Sequence, residues 1–219
     1  MSNQQLFSLL FLFLNCSHAF SASLQSGDLL ISEVMSNPSA VSDTNGEWFE
    51  IFNASAFAYN LNGLTIRDDG SNSHTINHSS DLFIDPGEYF VLGRNTDPLS
   101  NGGLSVGYTY TDFTLSNSSD QIVLLFDSIE ITRLDYSGAP FGVAGVSAEI
   151  TSQKSVTTQA DFQTTQNYQY GDGDYGTPGR PGSFELTSAA SVPLPGAIWL
   201  FASAALISLR AMKPANSNS

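Results

Sequence analysis

From Leu29 to Tyr136, short β-rich runs are cut every several residues by a turn signal, and no stretch has a long, clean apolar period of 3.6. A helical bundle needs an apolar stripe sustained over several turns, so this pattern argues for strands. Leu29 to Met35 is the first run and ends at Asn37-Pro38, and Asp43-Thr44-Asn45-Gly46 is a turn. Glu47 to Phe52 then alternates, with Trp48, Glu50 and Phe52 on one face and Phe49 and Ile51 on the other. Leu61-Asn62-Gly63 precedes Leu64 to Ile66, which Asp68-Asp69-Gly70 breaks, and Pro86-Gly87 launches Glu88 to Leu92. Phe113 to Leu115, Gln121 to Phe126 and Glu130 to Tyr136 complete seven or eight strands. Short strands without intervening helices predict an all-β, two-sheet sandwich.

Composition supports that class. Charged residues are only 13%, against about 25% in an ordinary soluble domain. Ser, Asn and Thr supply the polarity instead, which suits strands and turns better than helical surfaces. Fifteen Phe and eight Tyr provide a core. All 21 acidic residues lie between Asp28 and Glu185 with only five basic ones, so the body carries 5 − 21 = −16. A field of that sign repels a phosphate backbone and excludes nucleic acid as an expected partner.

Each end carries its own signal. Leu9 to Leu14 is an apolar core of signal-peptide size, followed by small residues, so residues 1–22 are expected to be cleaved after Ala19 or Ala22. The one cysteine, Cys16, falls inside that segment, which excludes a structural disulfide and cysteine catalysis in the mature chain. At the other end, Leu194 to Leu209 is 16 mostly apolar residues, about 24 Å as a helix against a hydrocarbon core of about 30 Å. Trp199 suits one interface, and Arg210 with Lys213 suits the other by snorkelling. Basic residues trailing the run place the C-terminus in the cytoplasm and the body outside the membrane.

Two resemblances add to this reading. Val192-Pro193-Leu194-Pro195-Gly196, with Trp199 and Phe201-Ala202-Ser203 following, resembles a PEP-CTERM sorting tail in its Val-Pro-Leu-Pro variant. It implies a sorting motif at Val192, Pro193, Leu194 and Pro195 and an exosortase-like membrane protease as partner, in a Gram-negative bacterium. Leu194 stands where the motif more usually has Glu, and the basic cluster is sparse. The body from Asp28 to about Tyr136 resembles a lamin-tail domain, an immunoglobulin-like sandwich. The resemblance rests on Ile31-Ser32-Glu33-Val34-Met35-Ser36-Asn37-Pro38, Gly46-Glu47-Trp48-Phe49-Glu50-Ile51-Phe52-Asn53, Leu61-Asn62-Gly63, Pro86-Gly87-Glu88-Tyr89-Phe90-Val91-Leu92-Gly93 and Leu115-Ser116-Asn117. Gly176-Thr177-Pro178-Gly179 matches a closing motif. The expected organisation is a signal peptide at 1–22, a sandwich at 24–136, and a 137–180 segment read either as a weakly structured extension or as further strands that carry the sandwich on to Tyr175. A linker at 181–191 and a sorting signal at 192–219, with its transmembrane helix at 194–209, complete it.

Chemistry is sparse. There is no Gly-x-Ser-x-Gly elbow and no phosphate loop. His74 and His78 lie four apart in a polar loop, where a zinc site would need Asp69 or Asp81 as a third ligand. Asp43, Asn45, Glu47 and Glu50, with Asp172 and Asp174 in a second cluster, are candidate calcium ligands, although neither cluster completes an EF-hand. The lamin-tail resemblance implies structural roles for Glu33, Trp48, Glu50, Asn53, Gly63, Asn117 and Pro178. Glu33 and Glu50 are expected to bond loop backbone N–H groups. No cofactor is expected beyond that calcium. The expected function is a non-catalytic exported surface or matrix protein that binds protein or polysaccharide. A calcium-dependent adhesin or a small exported hydrolase is the alternative.

Overall fold

The computed structural model describes residues 23–190 apart from Gln166. The strands are β1 (Leu29–Met35), β2 (Trp48–Asn53), β3 (Tyr59–Asn60), β4 (Thr65–Arg67), β5 (Ser73–Thr75), β6 (Phe83–Ile84) and β7 (Tyr89–Gly93). They continue as β8 (Tyr108–Thr109), β9 (Ser119–Phe126), β10 (Ile129–Ser137), β11 (Ala148–Ile150), β12 (Phe162–Thr164), β13 (Gln169–Tyr170) and β14 (Asp174–Tyr175). One helical turn, α1 (Asp43–Gly46), joins β1 to β2. A six-stranded sheet ordered β12-β11-β1-β2-β7-β8 faces a four-stranded sheet ordered β10-β9-β4-β5, the two forming an immunoglobulin-like sandwich. Every pairing in these two sheets is antiparallel except β7 with β8.

The core lies between the sheets. Ile31, Val34, Phe49 and Ile51 meet Ile66, Ile122, Leu124 and Leu134, and Tyr110 and Phe113 close one end against Phe49. Burying a side chain of this size removes enough apolar surface to contribute about 1.5–3 kcal/mol. β1 and β2 are buried along their whole length, so their second face is covered as well. A smaller cluster of Met35, Trp48, Val91 and Leu104, with Tyr170 against it, covers one part of that outer face.

A bulge in β1 sets which residues reach the outer face. Ile31 pairs with Ile51 and Val34 pairs with Phe49, all on the core side, yet Ile31 and Val34 are three residues apart. The extra residue lets both Ser32 and Glu33 face outward. Strict alternation after Ile31 would have driven the Glu33 carboxylate into the core, at a cost of several kcal/mol.

Several expectations need correction here. Of the two readings of 137–180, the structure favours further strands up to Tyr175 over a weakly structured extension: β11 and β12 extend the main sheet beyond β1, and β13 pairs with β14. Their low apolar content misleads because the strands are short and held by polar contacts with their neighbours. Residues 181–190 of the expected linker are tied to the domain. Ser183 bonds Glu149, Thr187 bonds Gln153, the Ala189 amide donates to the Ala54 carbonyl at 2.7 Å, and Leu186 is buried. The signal peptide, the sorting motif and the transmembrane segment lie outside the described residues. Among those described, no helix is long and apolar enough to cross a membrane.

Candidate functional site: a glutamate row beneath the C-terminal strap

Strand register places three glutamates side by side. Glu149 on β11 pairs with Glu33 on β1, and Glu33 pairs with Glu50 on β2. All three are at most 2% exposed. Like charges directly across a sheet repel, and burial removes water's compensation, so such a row persists only if donors surround it. The donors come largely from the chain's return across the outer face at residues 176–190, here called the strap.

Glu33 accepts from the Thr177 amide at 2.8 Å, the Thr177 hydroxyl at 2.7 Å and the Ser147 and Thr165 hydroxyls. Glu50 accepts from the Ser32 hydroxyl at 2.8 Å and from the Gly179 amide. Glu149 accepts from the Gln163 side-chain amide at 2.9 Å and from the amide and hydroxyl of Ser183. Pro178, which has no N–H to satisfy, stands between the Thr177 and Gly179 amides, which donate to Glu33 and Glu50. The closing Gly-Thr-Pro-Gly sequence is thus a set of donors spaced to meet two adjacent strands.

Burial raises the carboxyl of Glu33 above its ordinary range, against the pull of Ser147 and Thr177. Glu50 is pushed up further, first by burial and then by the charge of Glu33. Beside the row is a cavity of about 10 Å³, walled by Tyr89, Ile150, Phe184 and Leu186 along with the glutamates. That is about the space of one water. A substrate group has no room there, and most of the carboxylate oxygens that could act on it already hold protein donors.

The candidate calcium ligands are sent to separate partners. Asp43 accepts from the Asn117 side chain at 2.9 Å, and Asn45 lies in α1. Glu47 pairs with Arg94 at 3.2 Å and accepts from the Leu115 amide. Burial nonetheless raises the Glu47 carboxyl to about 7. Asp174 uses both oxygens on the Ser39 and Ala40 amides, while Asp172 is exposed. Among the described residues, no group of three or more His, Cys, Asp or Glu is placed to hold a metal ion. The histidine loop also needs correction. His74 lies on β5, with its Nδ1 accepting from the Thr111 amide and its Nε2 bonded to the Tyr108 hydroxyl, whereas His78 bonds Ser80.

The remaining expected structural residues are placed as follows. The Trp48 indole donates to the Tyr170 hydroxyl at 2.9 Å, the two rings meeting edge to face. Asn53 accepts from the Ser55 amide and donates to the carbonyls of Phe57 and Ile84, tying the loop before β3 to β6. Gly63 has φ +91, a conformation that disfavours any side chain. The Asn117 carbonyl lies so close to Gly142 that a Cβ there would come within 1.9 Å. Sequence reasoning passed over Glu149, Thr165 and Ser183. Its one available signal was the alternation in Ala148-Glu149-Ile150, which is too short to stand out.

The comparisons fit this geometry. A protein-family model described as Lamin Tail Domain matches residues 22–138, more than half of the 219-residue chain. The match takes in two members of the glutamate row, while Glu149 and the strap that closes over it lie beyond. No curated protein matches the sequence. With a β-sandwich, the outward Glu33 and Glu50 and a family match over most of the sheet strands, the chain belongs to the lamin-tail-domain family.

Proposed function

We propose that this is a non-catalytic, exported lamin-tail protein whose sandwich binds a surface protein or a polysaccharide. The observation that supports it is the occupancy of the buried acidic groups. The row of Glu33, Glu50 and Glu149 is engaged by the protein's own donors beside a cavity of about 10 Å³. A hydrolase would need carboxylates free to exchange protons with a bound substrate. This site holds its carboxylates for closure of the domain.

Sorting completes the reading. The chain is held first by residues 194–209, then cut near Val192 to Pro195 by an exosortase-like protease and released to the cell surface. That part rests on the sequence of the tail. The strap's ties run to Ala189, so a cut at 192–195 leaves every donor to the glutamate row in place. Mass spectrometry of both mature termini, with and without the protease, tests it. Loss of residues 197–219 only when the protease is present supports sorting, and an intact Ser219 in both strains removes it. For the binding role, the purified protein is run through gels containing the producing cell's exopolysaccharide and over its immobilised surface proteins. Retardation by neither, together with hydrolysis of any glycan or phosphoester tested, would replace binding by catalysis.

A further inference from the structure

The chain leaves the domain at one particular end. That end carries the start of β1 at Leu29, the close of β2 at Asn53, the start of β7 at Tyr89 and the close of β11 at Ile150. The strap's last tie, Ala189 to Ala54, lies there, with Ser188 beside Gly87. Leu194, where the apolar run begins, is only five residues past Ala189, a reach of at most about 17 Å of extended chain. The domain is therefore not lifted away on a free linker.

The same end exposes unusually apolar side chains. Phe57, on the loop before β3, is 54% exposed and Phe83, on β6, is 55% exposed, and the Asn53 amide ties that loop to β6 through the carbonyls of Phe57 and Ile84. Val156 and Ile129 are exposed there too. Phenylalanine has no polar tip to prefer water, so holding two half-exposed rings on a loop and the neighbouring β6 is unfavourable unless something covers them. A bilayer interface receives such rings and contributes free energy in proportion to the area buried.

We propose that Phe57 and Phe83 rest in the surface of the bilayer, so that this end of the sandwich lies against the membrane while the tail holds the chain. The inference rests on the membrane segment at 194–209 proposed above. The local charge selects the lipid. Asp85, Glu88 and Asp127 are exposed at this end, so an uncharged, zwitterionic surface suits it and an anionic one repels it. The rings then act as a second contact beside the tether. They orient the opposite end, where Leu99 is 94% exposed, outward from the membrane.

The test uses the chain from residue 23 to 219, without the signal peptide and therefore without cysteine, reconstituted into phosphatidylcholine vesicles. A fluorophore is placed at Phe57→Cys, Phe83→Cys or Leu99→Cys, and lipids carrying a shallow nitroxide quencher are added. Quenching at positions 57 and 83 should exceed that at 99 at least twofold, and the excess should shrink when anionic lipid is included. Protein that fails to float with the vesicles overturns the membrane segment itself. Protein that floats but shows equal quenching at all three positions leaves the tether standing and overturns this inference. Labels at 57 and 83 shielded from an aqueous quencher in detergent micelles, in a concentration-dependent way, would make the occupant a second copy of the chain and also overturn it.

Discussion

Truncating Glu33 to alanine should unfasten the strap. The carboxylate accepts four hydrogen bonds, from Ser147, Thr165 and the amide and hydroxyl of Thr177. Ser147 and Thr165 can fall back on each other, since their hydroxyls are already 2.7 Å apart. The amide and hydroxyl of Thr177 have no such alternative, and Thr177 is 1% exposed. Two stranded donors cost about 1–3 kcal/mol each. Removing a buried carboxylate gives some of that back, because burial disfavours its charged form. The net expectation for Glu33→Ala at neutral pH is about 2–4 kcal/mol. With a urea slope of about 2 kcal/mol/M, the midpoint should fall by roughly 1–2 M. Urea unfolding of the chain from residue 23 to 190 measures this, and amide exchange at Thr177, Gly179 and Ser183 locates it. Loss of less than about 0.5 kcal/mol, with those three amides still protected, would refute the clamp. Glu33→Gln keeps the shape and drops the charge, so it should cost less than half as much.

Three further outcomes follow from the same contacts. Glu33, Glu47 and Glu50 all have raised folded-state values, Glu47 to about 7, so the native state holds more protons than the unfolded chain above the ordinary value of 4.5. The stability this contributes is fully present below about 4.5 and is lost as pH rises through the raised values. Glu47 alone accounts for about 2–3 kcal/mol between pH 4.5 and 7, and a melting temperature that rises steadily over that range would contradict it. Gly142→Ala should destabilise by at least about 2 kcal/mol, because its Cβ would meet the Asn117 carbonyl at 1.9 Å with φ at +71; a chemical-denaturation midpoint equal to that of the parent would show that the loop simply shifts. Trp48→Phe should cost about 1–3 kcal/mol through the lost bond to Tyr170 and the space left behind; the check is differential scanning calorimetry of the variant beside Tyr170→Phe, whose loss should not add to it in full.

Much of the sandwich was legible because strand signals are local. Alternation in Glu47 to Phe52 set the faces of β2, and turn residues marked its ends. An excess of carboxylates was equally plain, and so was their poor fit to an EF-hand. The meaning of those carboxylates was not legible. Their partners lie 144 residues away for Thr177 and Glu33, and 129 for Gly179 and Glu50. No periodicity connects such positions, and a calcium loop looks locally much like an Asx turn.

Sequence alone determined that this chain must make short strands, that its body carries a strong acidic excess, and that one cysteine cannot staple the domain. Those properties follow from residue type and near neighbours. Tertiary structure decided the rest. A single bulge at Ser32 turned Glu33 from the core to the outer face, and pairing of β11 with β1 aligned Glu149 beside it. The strap then became part of the domain, because three buried carboxylates need donors that only a returning chain can supply.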